Sequence, residues 1–145
     1  DLELKEKVEA IRLAIGNNMN LGDVSKKSVP KMTMLSAAKK GGAICTRSFI
    51  PHDCHAAIGV FAAISVGTAL MIPGSIAHQV GNVPKGDTKL LSVEHPTGEI
   101  SVKMEFNEKS KQNKIERAEL LRTARRLFEG TVLIPANVWD GNEER

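Results

Sequence analysis

The chain has 145 residues, of which 41% are hydrophobic, and a formal net charge of +3. That length is enough for one domain with a sizeable core. The low charge and the scarcity of aromatic residues (four Phe, one Trp, no Tyr) argue against nucleic acid as a partner. Two cysteines make no disulfide framework, so both are expected to be reduced thiols of a cytoplasmic protein.

An amphipathic helix is predicted over residues 2–15. Its apolar residues fall on one stripe: Leu4, Val8, Ile11 and Ile15. Gly16, which two asparagines follow, is the predicted helix stop. The strongly charged start, DLELKEKVEAI, is unlike a signal peptide. The first residue is Asp1 and not Met, which predicts either that something has been removed or that the chain is part of a longer one.

Two strands joined by a turn are predicted next. The apolar run at 29–37 favours a strand, and KKGG at 39–42 favours a turn. AICTRSFIP at 43–51 is rich in β-branched and aromatic residues, which favours a second strand ending at Pro51.

The most apolar segment follows. From Ala56 to Ile72 there is no charged residue over 17 positions, fewer than the ~20 that a membrane span needs, so no membrane association is expected. A helix that is apolar all round is buried all round. We therefore predict a central helix at about 54–72 inside a curved sheet.

Strands at 90–95 and 99–106 supply that sheet. The second alternates strictly, with Ile100, Val102, Met104 and Phe106 on one face, as in a half-buried antiparallel strand. Residues 107–116 are predicted to be a solvated loop. The run after Ala118 is ambiguous, because its leucines fit helical spacing while GTVLIP favours a strand.

The densest group of titratable residues lies at the start of the apolar segment: Arg47, His52, Asp53, Cys54 and His55. If the helix begins near Cys54, its first turn exposes the backbone N–H groups of His55, Ala56 and Ala57 to an anion such as a carboxylate. The same field lowers the pKa of a thiol. Cys54 and His55 could then exchange protons with a bound carboxylic acid, and the helix start would stabilise the enolate.

Each of these residues also has a purely structural interpretation. Asp53 fits a helix N-cap, and Cys54 fits a small residue at a packed helix start. A metal site formed by His52, Cys54 and His55 would lack the usual ligand spacing, so no metal is expected. Arg47 fits a surface charge on a strand.

Two further motifs remain open. His95, before Pro96, fits the entry to a turn. RTARR at 122–126 could contact RNA, but no aromatic residue accompanies it, so a solvated or substrate-facing cluster is favoured.

Four separated segments together resemble the PrpF family, which includes 2-methylaconitate cis–trans isomerase, 4-oxalomesaconate tautomerase and methylitaconate Δ-isomerase. They are LGDVSKKSVPKMTML, GGAICTRSFIPHDCHAAIGV, VEHPTGEISV and LLRTARRLFEGTV. The resemblance implies an α+β, diaminopimelate-epimerase-like fold, in which a curved, mostly antiparallel sheet surrounds a central apolar helix in each of two domains. It also implies a cofactor-independent isomerase of small unsaturated di- or tricarboxylic acids.

The same resemblance divides the chain. Residues 1–134 would be the C-terminal domain, with 118–134 extended and returning toward a missing N-terminal domain, and 135–145 would be a tail. The family's catalytic lysine and a second helix-start cysteine belong to the other half and match no residue here.

Seven residues are the predicted substrate contacts: Arg47, His52, His55, Ala56, Ala57, His95 and Lys31. Cys54 is the predicted catalytic residue, with no metal and no cofactor. Expected partners are a small polycarboxylate, the missing domain and further copies of the chain. Two alternatives stay open: an amino-acid epimerase of the same fold, and a non-catalytic interaction module.

Overall fold

The computed structural model describes residues 1–107 and 114–141. The elements follow in chain order: α1 (Leu2–Asn18), β1 (Met32–Ser36), β2 (Ile44–Ile50), β3 (Asp53–Cys54), α2 (Val60–Met71), α3 (Ile76–Val80), β4 (Thr88–His95), β5 (Gly98–Asn107) and β6 (Lys114–Leu121). The predicted helix–strand order is confirmed, while the short elements β3 and α3 were not predicted.

One mostly antiparallel sheet organises the fold. Its strand order is β1-β2-β4-β5-β6, with β3 paired to β2. The β2–β4 pairing is parallel and short, and the other pairings are antiparallel. The β4–β5 hairpin closes at His95 opposite Gly98, and α2 contacts β4, β5 and β6. The predicted α+β sheet around a central apolar helix is therefore confirmed.

The core lies between α2 and the sheet. It contains Ile44 from β2, Leu70 and other residues of α2, Leu91 and Val93 from β4, and the inward side chains of β5, Ile100, Val102 and Met104. The predicted alternation of β5 is thus confirmed for these three residues. Gly67 of α2 lets the helix lie close to β4 and β5, since an added Cβ would lie 3.5 Å from Leu91 Cδ1 and from Met104 Sδ.

Two details of the central helix differ from the prediction. It begins at Val60 rather than near residue 54, because the chain after β2 turns back and pairs as β3. It is also not buried on every side, since Phe61 is 86% exposed and Val60 is 46% exposed. The apolar segment therefore forms a helix that has one face exposed to solvent.

The first helix is longer than predicted. Gly16 does not end α1, which continues to Asn18. Gly16 is instead a site of close packing, because a Cβ there would lie 2.6 Å from Val24 Cγ2. The fully buried Arg12 secures the same contact by donating to the carbonyls of Val24 and Val29.

The C-terminal part after β6 is exposed. Part of the predicted 107–116 loop, residues 108–113, lies outside the described residues, and the remainder from Lys114 onward belongs to β6. Residues 118–121 are in β6, and 122–134 contain neither helix nor strand. The helical spacing after Ala118 was thus misleading. Within the described ranges, every helix is too short or too polar to cross a membrane.

Candidate functional site

The titratable group lies on a strand and a loop, not on a helix. After β2, the chain turns at Pro51 and pairs Cys54 with Phe49 in β3. The N–H of His55 then donates to Ser48 O at 2.7 Å, which extends this pairing by one bond. The prediction that His55, Ala56 and Ala57 form the first turn of the central helix is therefore wrong, because His55 N–H bonds β2 and α2 begins only at Val60.

His52 and Asp53 face α1. Lys5 Nζ donates to Asp53 Oδ1 at 2.8 Å, and His52 Nδ1 lies 3.7 Å from Glu9 Oε2. The hydrogen bond from Lys5 lowers the pKa of Asp53. Asp53 is thus an ion-pair partner of α1 and not the predicted N-cap of the central helix, which is Gly59.

Cys54 is an exposed free thiol on β3. Its Sγ lies 3.8 Å from His55 O. Because α2 begins at Val60, Cys54 does not occupy the helix start that its predicted chemistry assumed.

The β4–β5 turn meets the loop that leads to α2. Thr97 donates twice to Ala56 O, from its backbone N–H at 3.1 Å and from Oγ1 at 2.8 Å. Thr97 Oγ1 also lies 3.3 Å from His95 Nδ1. This contact brings His95, one of the predicted substrate contacts, close to the 55–57 loop. Thr97 itself was missed, because a turn motif carries no sign of a partner 41 positions earlier in the chain.

The start of α2 is open. Gly59 is the N-cap and makes no side-chain capping bond, and the first intrahelical donor of this turn is Ala63 N–H, which bonds Gly59 O at 2.9 Å. The N–H groups of the preceding residues point out of the helix without a partner in it. They and the helix dipole favour a negatively charged group here.

Arg47 and Lys31 lie elsewhere. Side chains alternate along a strand, so Arg47 lies on the face of β2 opposite the core residue Ile44. Its Nη1 donates to Thr46 O at 2.7 Å and lies 3.4 Å from Cys45 Sγ, beside a cavity of about 130 Å³. Lys31 lines a larger apolar groove of about 560 Å³ along the uncovered face of α2.

A buried carboxylate fixes the turn before β2. Glu94, 3% exposed, accepts the backbone N–H groups of Lys39, Lys40 and Gly42 at 2.7–2.9 Å. These bonds, that of Lys39 first, lower the pKa of Glu94 despite its burial. Gly42 is required, since an added Cβ would lie 2.9 Å from Glu94 Cγ. The predicted KKGG turn is confirmed, but its anchor, Glu94, was not predicted.

Among the described residues, no group of three or more His, Cys, Asp or Glu side chains is placed to hold a metal ion. His52, Cys54 and His55, weighed above as metal ligands, form no such group.

The family model for PrpF protein matches residues 1–135. The chain is 55% identical over 132 residues to (4E)-oxalomesaconate Δ-isomerase of Novosphingobium sp. (strain KA1), covering 91% of this chain and 36% of that protein. It is 50% identical over 144 residues to 4-oxalomesaconate tautomerase of Pseudomonas putida, covering 99% of this chain and 39% of that protein.

A solved structure shares the fold. The crystal structure of methylitaconate-Δ-isomerase superposes with a TM-score of 0.71 at 24% identity, covering 91% of this chain and 38% of that chain. The chain thus spans less than two fifths of the length of each of these three proteins.

Proposed function

Because the chain belongs to the PrpF family, we propose that it is one domain of an isomerase of small unsaturated di- or tricarboxylic acids. The observation that carries the proposal is the identity of 50–55% with two relatives named for activity on oxalomesaconate. The reaction moves a double bond, or switches it between cis and trans, by removing and returning a proton. No cofactor is needed for such a transfer.

The open start of α2 supports the chemistry. A carbanion beside a carboxylate is a dianionic enolate, which partial positive charge stabilises. The uncapped turn after Gly59 offers that charge next to the 55–57 loop. In this proposal, one substrate carboxylate lies against the loop formed by His55, Ala56 and Ala57 and the start of α2, with the exposed thiol of Cys54 nearby as an acid or base.

The basic residues outside this loop would contact the other carboxylates. Arg47 is half-buried, and within the described residues no carboxylate pairs with it, so its charge is free for an anion. Lys31 and His52 are weaker contacts in this proposal. Lys31 lines an apolar groove, and His52 already lies against Glu9.

Exposed apolar surface supports packing against a further domain. Large apolar side chains at the C-terminal end are exposed: Leu127, Phe128, Val132, Leu133 and Trp139. Surfaces of this kind mark interaction sites. We propose that 1–134 is the C-terminal domain, that 118–134 packs on an N-terminal domain, that 135–145 is a tail, and that copies associate. Two free thiols support a cytoplasmic location.

The test is an NMR assay of the native full-length protein with 4-oxalomesaconate in D₂O. The proposal predicts migration of the double bond with deuterium incorporation, and an absence of conversion for this and aconitate-like acids contradicts it.

Arg47→Ala should raise KM about tenfold or more by removing a charged contact. Lys85→Ala, at an exposed loop position, is the control. An unchanged KM in Arg47→Ala would remove Arg47 from the site.

A further inference from the structure

We propose that Thr97 is a positioning residue of this isomerase, which holds the Ala56–Ala57 peptide so that its N–H, and not its carbonyl, faces the substrate carboxylate. The proposal rests on the proposed function and names a residue of the β4–β5 turn on which the carboxylate site depends. Its basis is the pair of hydrogen bonds that both go from Thr97 to Ala56 O.

The two bonds converge on one oxygen atom. Thr97 N–H donates to Ala56 O at 3.1 Å, and Thr97 Oγ1 donates to the same atom at 2.8 Å. A carbonyl oxygen has two lone pairs, so these two donors fill its capacity to accept. A carbonyl that pointed the other way would present partial negative charge to a bound carboxylate. In this proposal, Thr97 keeps that repulsive group away from the site.

The direction of the Ala57 N–H follows from the geometry of the peptide. The bond between Ala56 and Ala57 is trans, and in a planar trans peptide the C=O and the following N–H point in opposite directions. Because the carbonyl points to Thr97, the N–H of Ala57 points away from the β4–β5 turn. Within residues 1–107 and 114–141, no backbone carbonyl accepts from this N–H. It is therefore available to an anion.

The loop is fixed at three points, of which only the middle one depends on Thr97. Before it, the N–H of His55 donates to Ser48 O at 2.7 Å. After it, the side chain of Ile58 is buried in the core. Ala56 is exposed, so packing of its own side chain does not hold the peptide between these two anchors. The bonds from Thr97 thus set the rotation of the Ala56–Ala57 peptide.

Thr97 is itself held in place by the hairpin. The β4–β5 pairing closes with His95 opposite Gly98, which places Thr97 in the turn between them. Thr97 Oγ1 lies 3.3 Å from His95 Nδ1. Since the hydroxyl donates its single proton to Ala56 O, it can accept from His95 Nδ1 while keeping that bond. His95 therefore supports the orientation of the Thr97 side chain.

Steady-state kinetics of the native full-length protein separate positioning from stability. Thr97→Val keeps the shape of the side chain and the backbone N–H but removes the hydroxyl. KM for 4-oxalomesaconate should then rise ~3–10-fold, as expected for the loss of one neutral hydrogen bond. The loop binds the carboxylate alike in the ground state and in the transition state, so kcat should change by less than about twofold. Thr97→Ser, which keeps the hydroxyl, should restore KM.

A purely structural role of Thr97 gives a different pattern, because a loss of folded protein lowers the apparent kcat and leaves KM unchanged. The control is Thr88→Val, at an exposed position at the opposite end of β4, and it should leave both constants unchanged. A wild-type KM in Thr97→Val, with or without a lower kcat, overturns the proposal. So does a raised KM that Thr97→Ser fails to restore.

Amide NMR tests the peptide orientation without reference to turnover. The ¹⁵N shift of an amide responds to hydrogen bonding at the carbonyl of the same peptide. In the ¹⁵N-labelled native full-length protein, Thr97→Val should therefore shift the signals of Ala57 and His95, and it should raise the Kd for mesaconate ~3–10-fold. Thr97→Ser and Thr88→Val should match the wild type. An unshifted Ala57 signal in Thr97→Val overturns the role of Thr97.

The two failures are distinguishable. If the wild type converts none of the unsaturated acids, the proposed function is wrong, and the role of Thr97 in it is overturned as well. If the wild type is active and Thr97→Val keeps the wild-type KM, only the role of Thr97 is lost. The expected result is an active wild type, a raised KM in Thr97→Val and rescue by Thr97→Ser.

Discussion

The segment between β2 and α2 has two halves with different surroundings. In the first half, His52 and Asp53 contact Glu9 and Lys5 of α1. In the second half, Ala56 contacts the β4–β5 turn through Thr97. The first contacts are ion pairs that hold α1 against this segment, whereas the second lies beside the start of α2, which has no side-chain cap. Side chains that are close in sequence thus contact different elements of the fold.

The largest effect is expected for a substitution of Arg12, which disrupts only the contacts of α1. Arg12 is fully buried, makes two bonds to Glu9 at 2.6 and 2.7 Å, and donates to three carbonyls. Arg12→Met leaves these acceptors unpaired, and Tm should fall by roughly 10 °C. The His95 ¹⁵N signals should not change. The control is Arg126→Met, since the Arg126–Glu129 pair is exposed, and its Tm should shift by less than about 2 °C. An Arg12→Met protein as stable as the control would contradict this assignment.

A substitution of Glu94 tests the contact between the β4–β5 hairpin and the 39–42 turn. Three backbone donors lower its pKa, so the folded state binds fewer protons than the unfolded state near the ordinary value of ~4.3. Its contribution to stability is present above that value and is lost as pH falls through the folded-state pKa. Glu94→Gln should lower Tm at pH 7 by roughly 5 °C and should flatten the acid limb of stability.

The measurement for Glu94 is urea unfolding at pH 7, 5, 4 and 3. Glu6→Gln, on an exposed position of α1, is the control and should leave the pH 7 midpoint nearly unchanged. Glu94 is next to His95 and its backbone carbonyl accepts from Thr46 Oγ1 at 2.7 Å. Glu94→Gln should therefore also shift the His95 signals, unlike Arg12→Met. An acid limb as steep as that of the wild type would contradict the account.

Gly16 gives a smaller effect on the α1 side. Gly16→Ala puts a methyl group 2.6 Å from Val24 Cγ2, and the resulting overpacking should cost about 1–3 kcal/mol of unfolding free energy. Gly59→Ala adds the same methyl where nothing lies within 4 Å, so only the poorer N-cap preference of Ala acts, about 0.5–1 kcal/mol. Equal losses for the two variants, by urea unfolding, would show that α1 does not pack on Val24 as described.

The smallest effect is expected for Asp53, in the first half of the segment. Asp53 is exposed and pairs with Lys5 at the surface, where ion pairs contribute little. Asp53→Asn should change Tm by less than about 2 °C, and that change should vanish in 1 M salt. A decrease in Tm as large as that of Arg12→Met would show that the Lys5–Asp53 ion pair itself holds α1 in place.

The sequence predicted elements whose pattern is local. The strict alternation of β5 and the uncharged run of α2 each follow from their own residues, and both elements are present. The family resemblance argued against the helical spacing after Ala118, and the structure has β6 up to Leu121 and neither helix nor strand over 122–134. The candidate site residues were predicted because they are titratable and adjacent, and the helix start that this prediction assumed was wrong.

What the sequence missed depends on contacts between distant segments. Gly16 looked like a helix stop, but its reason is the close approach of Val24. The two-residue strand β3 forms only because β2 offers a partner, so no period is visible in it. Thr97 and Glu94 bind backbone groups, Thr97 that of Ala56 and Glu94 those of the 39–42 turn. These contacts cannot be inferred from the chemistry of either side chain alone.

The most direct test is to titrate the ¹⁵N-labelled native protein with an unsaturated polycarboxylate, such as mesaconate, and to follow the backbone amides. Shifts are expected at the 55–62 segment and around His95–Gly98, with little change at Lys5 and Glu9. Shifts confined to the α1 side, or no shifts at millimolar ligand, would contradict the claim that the second half of this segment is the carboxylate site.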